Sequence, residues 1–382
     1  MEMLSSYADV NQIAGVETFR IEFENTPSSV SQSIYANTRN QVPVVISLKA
    51  YGSDGEPLDL NEDNVKKNLY LYYKRASAGV GEQLSWRNTS GALSYDDRKN
   101  KYCLAAPNYG LSLDSVQPTT VRADDGTVYV TYYVSANQQN SAGSDIVAVL
   151  KSSSLPGGEI DTSGSIASIP VSAVNIRALA PVNYKREDVK WEKMENQTPD
   201  KVRSQIDNRP GVDTYVYTYN YHLSCAKSGF DFINFEPSNY SGNQQYLGLS
   251  GWKYPDSWRK FHAVVIHDFN NRDKNLKGFS VKKRSEDAHG NDGHGNGGFD
   301  FYYRIKPYES PLKNYFCCTA IHHDAYWNTI FNKLPNGPMT SWHQYFHTSI
   351  TAYDQYGNEG IFYLDTKNID GELGIYDHKV FP

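Results

Sequence analysis

Along the first 180 residues apolar and polar positions alternate with a period of two, in short runs broken by turn residues. That rhythm belongs to half-buried strands in a sandwich or barrel. It predicts strands over residues 18–24, 42–51, 69–74, 127–135, 145–150 and 166–176. In the fourth of these, Val128, Val130, Tyr132 and Val134 share one face, and Tyr129, Thr131, Tyr133 and Ser135 share the other. The first set is expected to build the core. Ser53-Asp54-Gly55 and Asp124-Asp125-Gly126 supply residues that tolerate positive φ, so the strands they join should be antiparallel. The Ser- and Gly-rich stretch 152–165 reads as an exposed loop.

The pattern continues after residue 183, with strands predicted over 214–224, 261–267, 299–305, 315–321, 346–353, 360–364 and 373–376. Helical signals are few. One covers 186–194, one starts at Thr198 with Pro199 and Asp200 behind it, and one covers 325–334 with Asp324 as its cap. The expected fold is all-β and mainly antiparallel, with two β-sandwich-type domains, the second carrying a few short helices. Its divisions are a flexible lead-in at 1–16, a sandwich at 17–177, a linker at 178–183, and a larger aromatic- and His-rich β domain at 184–382.

The stretch 36–58 (ANTRNQVPVVISLKAYGSDGEPL) runs from a polar Asn/Gln segment into alternating valines and a Gly-containing turn. It resembles a strand pair of bacterial Ig-like domains. The resemblance covers about a quarter of the first half and implies a spacer or binding module of a surface or secreted protein.

Composition sharpens the contrast between the halves. A chain of 382 residues exceeds what one core usually serves. All ten His and five of the six Trp follow residue 180, so scaffold is expected first and chemistry second. The net charge of −6, with dispersed basic residues, gives no footprint for nucleic acid. No apolar run approaches the ~20 residues of a membrane helix, and the N-terminus lacks a signal-peptide pattern. The expected location is secreted or surface-exposed without a visible signal, with a cytoplasmic or particle-associated protein as the alternative. For Cys225, Cys317 and Cys318, buried free thiols are expected, and one bridge from Cys225 to either neighbour is the alternative.

Two constellations stand out. Tyr215, Tyr217, Tyr219 and Tyr221 must share one face of a strand, and the aromatic and amide-rich stretch 230–261 adds Tyr246, Trp252, Tyr254 and Trp258. Aromatic faces beside amides suit a sugar ring, whose C–H face stacks and whose hydroxyls need donors and acceptors. The competing account is core packing. Ser285 to Gly298 sets Asp287, His289, Asp292 and His294 among glycines. These are donors for a divalent metal, although the loop supplies no rigid element to fix them, and a solvated hairpin tip is the plainer account. His322, His323 and Asp324 follow a strand. His343 and His347 have a zincin-like spacing, but Gln344 stands where that chemistry needs Glu. No nucleophile elbow, phosphate loop or dinucleotide fingerprint is present.

The function expected is non-enzymatic recognition of a glycan or cell-surface receptor by the C-terminal domain, with no cofactor required. The alternatives left open are an assembly subunit of a virion or tail, a secreted toxin component, and a metal-dependent hydrolase.

Overall fold

The computed structural model describes residues 7–24, 26–75, 79–87, 90–104, 106, 125–193, 215–238, 245–253, 258–266, 315–326, 342–343, 348–366 and 373–377. The fold is all-β. The chain falls into two compact units, Met1–Val182 with Gln355–Asn358, and Asn183–Asp354 with Glu359–Pro382. Residues 178 and 179, the start of the expected linker, belong to a strand of the first unit.

The first unit contains β1 (Gly15–Phe23), β2 (Ser31–Tyr35), β3 (Gln41–Tyr51), β4 (Leu69–Lys74), β5 (Val80–Gln83), β6 (Ser85–Trp86), β7 (Leu93–Asp96), β8 (Val128–Ala136), β9 (Asn140–Lys151), β10 (Glu159–Asp161) and β11 (Val174–Leu179). One sheet runs β1-β3-β8-β7-β6. The other runs β2-β11-β9-β4-β5, with β10 added to β9. Phe19, Ile21 and Phe23, with Val42, Val44, Ile46 and Leu48, come from the first sheet. They share one buried core with Leu69, Leu71, Ile146, Ala148, Leu150, Val174 and Ile176 of the second. Fully burying each such Val, Leu or Ile stabilises by ~1.5–3 kcal/mol, which is why the alternation in sequence selects this two-sheet sandwich. As that alternation requires, Val130, Tyr132 and Val134 point inward. The Tyr132 hydroxyl donates to the Leu69 carbonyl at 3.0 Å, and burial holds its pKa far above the usual phenol range.

Amide side chains close the polar corner of this unit. Asn40 is fully buried; its Oδ1 accepts from the Tyr35 N–H at 2.8 Å, and its Nδ2 donates to the carbonyls of Tyr102 and Leu104 at 2.9 and 2.7 Å. Asn37 donates to the Tyr356 carbonyl and to Asn358 Oδ1, each at 3.0 Å. Gly357, at φ +76°, lies so close that a Cβ there would stand 2.7 Å from Arg39 Cβ. Only glycine fits both the backbone and the space.

The second unit contains β12 (Val189–Lys193), β13 (Tyr215–Cys225), β14 (Phe232–Pro237), β15 (Gln245–Lys253), β16 (Trp258–Ile266), β17 (Phe316–Tyr326), β18 (Trp342–His343), β19 (Thr348–Asp354), β20 (Glu359–Thr366) and β21 (Leu373–Tyr376). They form a sheet β12-β13-β17-β16-β15-β18 and a sheet β14-β19-β20-β21. Aromatic rings join the two: Phe235 of β14 meets Phe316 of β17 at 5.4 Å between centroids. Tyr184 sits at 5.0 Å from Phe232, and its hydroxyl donates to the buried Asp354 carboxylate at 2.7 Å.

Three sequence expectations are corrected. The helix expected over 186–194 is a 3-10 turn at Arg186–Asp188 followed by β12, because pairing with β13 and the seat of Trp191 override a weak helical preference. The strand expected over 166–176 begins only at Val174; before it the chain turns, with Ile169 N–H bonded to the Ile166 carbonyl at 3.1 Å. The helix expected from residue 325 does not start there, since Ala325 and Tyr326 still belong to β17; 327–334 lie outside the described residues, as do Thr198 and 299–305. Among the described residues the only α-helix is α1 (Glu62–Lys66), capped by Asn61 accepting from the Asp63 N–H at 2.8 Å. No described helix is long and apolar enough to cross a membrane.

Candidate binding face of the second unit

Register partners on neighbouring antiparallel strands lie on the same face of a sheet, with Cβ atoms ~4.5–5.5 Å apart. The registers of β13, β17, β16, β15 and β18 therefore sort their residues into rows. The lowest rows of the tyrosine-bearing face are Leu223 with Phe316, and Tyr221 with Cys318 and Ile266. Above them come Tyr219, Ala320, Val264 and Leu247. The next row is Tyr217, His322, His262, Ser250 and His343, one residue from each of five strands. Beyond it stand Tyr215, Asp324, Lys260 and Trp252, and then Tyr326 with Trp258. A bulge between Leu247 and Leu249 shifts β15 by one residue. That shift sets Ser250 and Trp252, rather than Leu249 and Gly251, on this face.

The lower rows are core. Tyr221 is 1% exposed; its ring stacks on Trp191 at 5.2 Å and 16°, and its hydroxyl accepts from the Leu373 N–H at 3.3 Å. Phe316, Cys318 and Leu223 are buried around it, and burial raises the Cys318 thiol well above its usual pKa. Tyr219 is half-buried, with the Lys193 ammonium 4.0 Å from its ring centroid. The face thus passes from buried apolar residues to rows of aromatic, imidazole, hydroxyl and charged residues.

Of the residues singled out in the sequence, Tyr215, Tyr217, Tyr219, Tyr221, Trp252 and Trp258 lie on this one face, while Tyr246 pairs with Val265 on the other. Tyr254 and the Asp287, His289, Asp292 and His294 loop lie outside the described residues. Sequence reasoning missed the register that puts His262, His322, His343 and Ser250 in one row. The parity of His322 and Asp324 was readable, but not which strands flank them. All four cysteines are free thiols. Cys225 donates weakly to the carbonyls of Asp188 and Lys227, and burial pushes Cys103 up to about 12.

The opposite face carries His222, 1% exposed, with the Tyr315 ring 4.5 Å away. Burial lowers its pKa to about 4, so at neutral pH it is an uncharged packing residue. No protein-family model matches the sequence, and no curated protein matches it.

Proposed function

We propose that the second unit is a recognition module that binds a glycan, free or on a cell-surface receptor, through the upper rows of this face. The observation that carries the reading is the row Tyr215, Asp324, Lys260 and Trp252, in which an acid and a base stand between two aromatic residues. Three strand spacings of ~4.8 Å separate its ends, room for more than one sugar ring. Aromatic residues supply stacking area at low entropic cost, and the neighbouring Asp, Lys, Ser and His supply hydrogen-bond donors and acceptors for hydroxyls. In this reading the first unit is an Ig-like spacer and the module acts in a secreted or surface-exposed protein. Binding of the full chain to a glycan array, followed by titration of the best ligand, tests it. Trp252→Ala and Tyr215→Ala should each weaken binding at least tenfold, or ~1.4 kcal/mol. Failure to bind any glycan, or unchanged affinity in both variants, overturns it.

A further inference from the structure

The histidine row offers a second chemistry that does not depend on glycan binding. His262 and His322 are direct register partners on β16 and β17, and Asp324 lies two residues along β17 on the same face. Partners on adjacent strands stand ~5 Å apart at Cβ and diagonal neighbours ~7–8 Å. Two residues along a strand span ~6.6 Å. We propose that His262, His322 and Asp324 form a binding site for one divalent transition-metal ion.

Two imidazoles and one carboxylate are a donor set for ions such as zinc, iron, cobalt or nickel, whereas calcium and magnesium demand oxygen ligands. Strands are also the rigid support that a loop of glycines does not give, so no flexible segment has to be ordered to bring these positions to one face. His343 is three strands from His322, ~14 Å away, and falls outside the set. Lys260 is the register partner of Asp324 on β16. His323 occupies the opposite face and supplies an internal control. Among the described side chains no group of three such donors comes together. The juxtaposition is one of backbone register.

The test uses the full chain stripped with a chelator. Cobalt is titrated by visible absorption and zinc by calorimetry, with circular dichroism confirming that each variant is folded. One ion per chain is expected. His262→Ala and His322→Ala should each weaken binding at least tenfold, Asp324→Asn should weaken it less, and His323→Ala should leave it unchanged. If an alanine variant does not fold, His262→Gln and His322→Gln take its place. No bound ion overturns the proposal. So does an equal loss in His323→Ala, or a loss seen only in His289→Ala and His294→Ala. No sugar is present, so a negative result leaves the glycan reading standing, and a positive one does not establish it.

Discussion

The two units place their polar residues differently. In the first, amides are spent on backbone groups: Asn40 satisfies one N–H and two carbonyls from inside the protein. In the second, His, Ser, Asp and Lys gather in two rows at one end of a sheet face whose other end is core. The difference teaches that polarity along a strand carries no functional message until register is known. A buried amide that bonds main chain is architecture, whereas polar residues aligned across five strands are, in the reading proposed above, a surface for a ligand.

The largest expected effect breaks the architectural side. Asn40→Leu leaves the buried Tyr35 N–H without its acceptor, at ~1–3 kcal/mol, and takes one donor each from the carbonyls of Tyr102 and Leu104, at ~1 kcal/mol apiece. It should remove at least ~3 kcal/mol from the first unit, read by urea unfolding and by hydrogen exchange of β2 and β3. Gly357→Ala comes next. It combines the cost of φ +76° with a Cβ pressed against Arg39, and ~2–3 kcal/mol is expected. Gly55→Ala, at φ +82° with open space around it, should cost only ~1 kcal/mol.

His222 gives an effect confined to acid. Its folded pKa, about 4, lies below the ordinary value of 6.5, so the fold favours the neutral ring. The stability this contributes is complete above pH 6.5 and drains away as the pH falls from there towards 4, by an amount on the order of 2–3 kcal/mol. His222→Gln should flatten that part of the profile, measured as midpoint temperature against pH beside the unaltered chain. A variant with the same slope would show that other groups set it. The smallest effect sharpens the contrast most: Trp252→Ala or Tyr215→Ala should change stability by less than ~0.5 kcal/mol while binding is lost. A drop near that of Asn40→Leu would move the upper rows into the core.

Much of the sandwich was legible. The predicted runs for β3, β4, β8, β13 and β21 match the strands to within a residue, because each carries an alternating face of valine, isoleucine, leucine or tyrosine. Strand β15 was not legible, since Gly248, Ser250 and Gly251 blur its alternation and its bulge reverses parity midway. Strand β12 hid behind a helical composition that pairing with β13 overrules. The tyrosine row was read as one face, which it is; that Tyr221 belongs to the interior depends on Trp191 and Leu373, distant in sequence. The histidine row was illegible for the same reason, since its five members come from five strands.

The turn at residues 355–358 also fixes an order of events during synthesis. It completes the first unit, yet about 170 residues of chain, most of the second unit, are made between Val182 and this turn. At ~5–20 residues per second, roughly ten to thirty seconds of translation separate the two. Until then Asn37 has neither the Tyr356 carbonyl nor Asn358, and Tyr35 has not met the Tyr356 ring, which in the mature protein lies 5.5 Å away. The sandwich that begins the chain is therefore finished only about two dozen residues before the second unit, whose last segment, Glu359–Pro382, follows the turn. A chain truncated after Val182 would leave that corner unsealed for good.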